Sequence, residues 1–155
     1  MNPKLEEDRR LLTDFEAGRI DPARFPHRDH VRVSYQLLER HPFPEALLHL
    51  ARGLRRLAAK AGKPEAYHET ITAAFLSLIA ERRLGGEYAD FEAFAARNPD
   101  LLRKQLLEEV YEPAILQSEL ARMTFLLPAL NRKSVAEIPG DGNFRAWKNH
   151  RSRLT

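Results

Sequence analysis

The chain contains no cysteine. Disulfides, thiolate metal centres and a cysteine nucleophile are thereby excluded, and any metal must be held by histidine or carboxylate. No apolar run approaches the roughly 20 residues that a membrane span needs, and the charged start MNPKLEEDRR has no signal-peptide core. The default expectation is a cytoplasmic location with no membrane partner. No stretch alternates with period two for long enough to suggest a strand. There is neither a glycine-rich phosphate loop nor a G-x-S-x-G turn, so nucleotide hydrolysis and serine-hydrolase chemistry lack support.

What is present fits one soluble domain. A length of 155 residues lets folding bury roughly 68–70% of the unfolded surface, and 43% hydrophobic with 30% charged residues argues against disorder. The net charge of +3 is unevenly spread. Residues 131–155 hold six Lys/Arg against two acids, which leaves 19 basic and 20 acidic groups in the rest of the chain.

Apolar residues recur at helical spacing through nearly every long segment, and the expected fold is an all-α, compact single-domain bundle of about six to seven helices over residues 1–130. The first helix runs from Pro3 to about Ala17, with Leu5, Leu12 and Phe15 inward, and stops at Gly18. The second occupies 27–40. The third starts around Pro44 and closes at Gly62. Pro64 opens the fourth, whose stripe Tyr67, Ile71, Ala74, Phe75, Leu78 and Ile79 ends at Gly85-Gly86. Asp90 caps a short helix to Asn98, another spans Pro99 to about Val110, and the last runs from about Pro113 to Met123. Residues 131–155 form a polar, basic tail, expected to be loosely ordered.

Function is sought in the histidines. His27, His30, Val31, Ser34 and Leu38 share one helical face, and half of that stripe is polar where a core stripe should be apolar. Buried imidazoles need partners, either a nearby carbonyl or a bound species. At a helix N-terminus they are held neutral, the form that binds metals or accepts protons. Tyr67-His68-Glu69-Thr70-Ile71-Thr72 starts like the zinc-binding H-E-x-x-H but has Thr72 at the second histidine position, so the zinc-protease reading fails. His27, His30 and His68 then make a candidate three-nitrogen set across the bundle core, lining a pocket for a divalent metal or a small-molecule ligand. In the catalytic version the metal is a Lewis acid or water activator, Glu69 orients or relays a proton, and Tyr67, Thr72, Tyr111 and Arg122 line the same pocket. His41, His49 and His150 sit among solvent-type neighbours and read as incidental. Ser118 and Arg122 share a face, where Arg122 could hold an anionic ligand or the Glu69 carboxylate. In the tail, Arg145, Lys148, Arg151 and Arg153 with Phe144 and Trp147 form a mixture suited to nucleic acid, the alternative partner, beside a third reading as a protein-interaction module.

Four motifs in order, Phe25-x-His27-x-x-His30-Val31, Tyr67-His68-Glu69-Thr70-x-Thr72, Asn98-Pro99-x-Leu101-Leu102 and Tyr111-x-Pro113-x-x-Leu116-x-Ser118-x-x-Ala121-Arg122, give the chain a resemblance. It resembles a family of small, uncharacterised bacterial all-helical proteins over about residues 25–130. The resemblance implies a helical fold and brings no activity. Members of that pattern end soon after a segment like Phe125 to Leu130, so the basic tail would be this chain's own.

Overall fold

The structure is a computed structural model that describes residues 2–128. Among them no strand occurs, and seven α-helices are interleaved with four 3₁₀ turns. The all-α expectation holds. The expected tail of residues 131–155, and with it the nucleic-acid reading, lies outside the described residues.

Helix α1 (Pro3–Glu16) is capped by Asn2, whose side chain accepts from the Lys4 amide. It buries Leu12 and Phe15, while Leu5, expected inward, is 40% exposed. Gly18 ends the turn with φ at 71°, a conformation that strains residues with a Cβ. Helices α2 (His27–Arg40) and α3 (Phe43–Lys60) are joined through Pro42, and α4 (Glu69–Leu84) completes a central trio in which each helix packs on the other two. Leu12, Phe15, Val31, Val33, Leu37, Leu50, Leu76 and Ile79 fill the space among them. Helix α5 (Phe91–Arg97) starts at Asp90, whose carboxylate accepts from the Ala93 amide, and buries Phe91 and Phe94. It is tied back to α2 by Glu92, which receives Arg28 Nη2 at 2.8 Å and Arg32 Nη2 at 3.2 Å. α2 thus presents guanidinium groups to α5 on one side and imidazoles to α3 and α4 on the other.

Three expected helices are built differently. Pro64 opens a 3₁₀ turn (Pro64–Ala66), not the fourth helix, and α4 begins five residues later with His68 as its cap. The helix expected from Pro99 to Val110 is two 3₁₀ segments, Pro99–Leu102 and Lys104–Glu109, separated by extended Arg103. The helix expected from Pro113 to Met123 is α6 (Pro113–Leu116) and α7 (Glu119–Met123), with Ser118 capping the second. Both interruptions have the same companion. At the first, His27 Nε2 donates to the Leu101 carbonyl at 2.9 Å; at the second, His68 Nε2 donates to the Leu116 carbonyl at 2.7 Å. Each carbonyl takes its hydrogen bond from an imidazole on the central trio.

Candidate functional site

His27 is the first residue of α2, with Pro26 preceding it as the cap. Its Nε2 proton goes to Leu101, so the neutral ring keeps Nδ1 as a bare acceptor. Its edge lies against Phe75 of α4, ring centres 4.9 Å apart. One turn on, His30 packs on Phe25 at 4.5 Å. Burial, with repulsion from Lys104 and from His27 when it is protonated acting in the same direction, pulls the His30 imidazole down to about 4. Burial also lowers His27 and His68. All three are neutral near pH 7.

His27 and His30 face a cavity of about 290 Å³ enclosed by α2, α3 and α4. Leu50, Leu54, Ile71, Phe75 and Ile79 supply apolar wall, and Ser34 and Lys104 supply polar atoms. A more open cavity of about 320 Å³ adjoins it, shares Phe25, His30, Leu54, Ile71 and Thr72 with it, and adds Tyr67 and His68. Among the described residues, no carboxylate lines either space. Ser34 donates its hydroxyl proton to the His30 carbonyl at 2.8 Å, leaving its oxygen, like His27 Nδ1, ready to accept.

The expected ligand set of His27, His30 and His68 does not form. His68 caps α4, with Nδ1 accepting the Ile71 amide at 3.1 Å and Nε2 donating to Leu116, so neither nitrogen is left for an ion. The His27 and His30 ring centres stand 6.3 Å apart. Glu69 is brought to Tyr67, whose hydroxyl donates to it at 3.3 Å, and it also receives Arg55 Nη2 at 2.9 Å. Arg55 lies over the Tyr67 ring at 4.5 Å, while burial holds the phenol up at about 12. Arg122 Nη1 donates to the Glu65 carbonyl at 2.7 Å, away from any ligand-binding geometry with Ser118, whose hydroxyl is spent on Ile115 and on capping α7. Tyr111 closes on the Leu126 carbonyl at 2.7 Å. Thr72 lines both cavities and donates to the His68 carbonyl at 2.7 Å.

A different group meets the geometric condition for an ion. Glu16, His41 and His49 each offer a ligand atom, all within 4.8 Å of one another, and could hold a metal ion. Reading the sequence passed over this group, since Glu16 lies 25 positions before His41 and carries no local mark of the meeting. The visible signal was His41 closing one helix before Pro42 and His49 lying two turns into the next.

The described residues thus form an all-α bundle with two adjoining imidazole-lined cavities and a His/Glu cluster at a helix corner. No family model, no curated protein and no solved structure matches it. No helix among the described residues is long and apolar enough to cross a membrane.

Proposed function

We propose that the protein binds a small, mainly apolar organic acid that carries a hydroxyl group, in the cavity between α2, α3 and α4. The carrying observation is the polarity of that cavity. Its volume of about 290 Å³ sits at the small end of the roughly 300–1,000 Å³ typical of ligand pockets. Five aliphatic or aromatic residues of α3 and α4 fit an apolar body, and the acceptors His27 Nδ1 and Ser34 Oγ suit a donor group such as a hydroxyl. Among the described lining residues Lys104 brings the one full charge, and it suits an anionic end. A divalent cation is disfavoured in this cavity by that ammonium and by the missing carboxylates. The bacterial helical family that the motifs resemble brings no competing activity.

Three probes separate the contributions: 4-hydroxyphenylacetate, phenylacetate without the hydroxyl, and tyrosol without the carboxylate. By calorimetry at pH 7.5 the first should bind best, with each deletion costing on the order of tenfold, the worth of one good polar contact. Lys104→Met should erase the preference for the acid over tyrosol, and Leu54→Trp should fill the cavity and abolish all three. Absence of saturable binding by every probe, or binding that survives Leu54→Trp, refutes the reading.

A further inference from the structure

The corner where α1, α2 and α3 meet holds a second set of chemistry, separate from the cavity. Glu16 is the last residue of α1, His41 caps the end of α2, and His49 stands near the start of α3. His49 Nδ1 is 3.7 Å from Glu16 Oε1. The two imidazoles are stacked, centres 4.5 Å apart and planes within 14°. Both histidines are half-buried while Glu16 is the exposed member. Two stacked imidazoles beside a carboxylate concentrate three lone-pair donors in one place. Imidazole lone pairs lie in the ring planes, so one of the two rings turns out of the stack to share a cation with the other.

The distances favour a particular kind of ion. Zinc–nitrogen and zinc–carboxylate bonds of about 2.0–2.2 Å put tetrahedral ligand atoms about 3.3–3.6 Å apart. The Glu16–His49 edge of 3.7 Å lies just above that range, and the widest edge, bounded by 4.8 Å, closes by at most about 1 Å. Rotamer changes of Glu16, which is exposed, and of the half-buried His41 and His49 supply that movement. A mixed set of two imidazoles and one carboxylate suits a borderline cation such as zinc and is poor for calcium or magnesium, which prefer oxygen throughout.

We propose that Glu16, His41 and His49 bind one divalent transition-metal ion of the zinc type, with the remaining coordination position open to solvent. The ion links the end of α1 to the junction of α2 and α3, 25 positions further along the chain. It therefore clasps α1 to the α2–α3 corner.

The test uses the full chain, purified without a histidine tag and stripped with chelator. Zinc titration should give one ion per chain, raise the midpoint of thermal unfolding, and be replaceable by cobalt with visible d–d absorption. His41→Asn and His49→Asn should each weaken zinc by at least tenfold and remove the cobalt spectrum and the thermal effect, while His150→Asn changes nothing. Circular dichroism should show both corner variants still helical, since neither side chain is in the core. Zinc binding that persists unchanged in both corner variants, that disappears in His150→Asn, or that never reaches one ion per chain overturns the proposal. None of these readouts depends on the cavity ligand.

Discussion

His68 does two structural jobs with its two nitrogens. Nδ1 caps α4 through the Ile71 amide and Nε2 satisfies the buried-side carbonyl of Leu116. His68→Ala removes a helix cap worth about 1 kcal/mol and leaves a carbonyl unsatisfied at a further 1–3 kcal/mol, so it should cost roughly 2–4 kcal/mol in denaturant unfolding. His68→Asn, which can still cap, should recover about 1 kcal/mol of that loss. Sequence reading singled out His27, His30 and His68 as polar groups in apolar company, and it weighed a carbonyl partner for buried imidazoles. It could not see which carbonyls, because Leu101 and Leu116 lie 74 and 48 positions from the histidines that bind them. It also left His41 and His49 aside, because an exposed-looking histidine at a helix end has the same neighbours whether or not another helix delivers a carboxylate.

At the scale of elements, the long helices were legible because each has a wide apolar stripe and strong punctuation. Pro42 separates α2 from α3, Gly62 at φ 72° ends the turn after α3, and Gly85 ends α4. The segments after residue 98 were read as longer helices than they are. Their leucines, Leu101, Leu106 and Leu107, are buried as a helical stripe would bury them, and periodicity over so few residues does not separate a 3₁₀ segment from an α-helix. One contact between elements reverses ordinary helix rules. A Cβ built on Gly53 of α3 would stand 2.2 Å from Phe15 Cζ of α1, and Phe15 is buried with 2% of its surface exposed. Helix propensity favours alanine over glycine by about 1 kcal/mol, yet Gly53→Ala should destabilise the protein by roughly 1–3 kcal/mol by driving α1 off α3. A thermal midpoint equal to or above that of the parent would show that the ring has room to retreat.

The whole molecule should respond to pH through its buried imidazoles. His30 falls from 6.5 in the unfolded chain to about 4 in the fold, so the unfolded state takes up a proton that the folded state refuses. The contribution is complete above pH 6.5 and is lost as pH falls toward 4. By pH 5 this one group should remove roughly 2 kcal/mol, and His27 and His68, also lowered, add to the loss. Asp8 and Asp29, whose carboxyls burial pushes up, act in the opposite direction in the carboxylate range. Urea unfolding at pH 7.5 and 5 should show the drop, and His30→Phe should flatten it; an undiminished slope in that variant would assign the proton uptake elsewhere. At this scale the helical class was plain from composition and periodicity. The cavity was not, because the gap between α2, α3 and α4 arises from how Phe25, Leu54 and Phe75 pack after folding, and no residue pattern encodes an empty volume. The two imidazole–carbonyl attachments also bear on how this architecture can change. The chain between Leu101 and Leu116 is also anchored by buried Leu106, Leu107 and Tyr111, so the place where residues can be added while both knots stay tied is the exposed run Glu108, Glu109 and Val110.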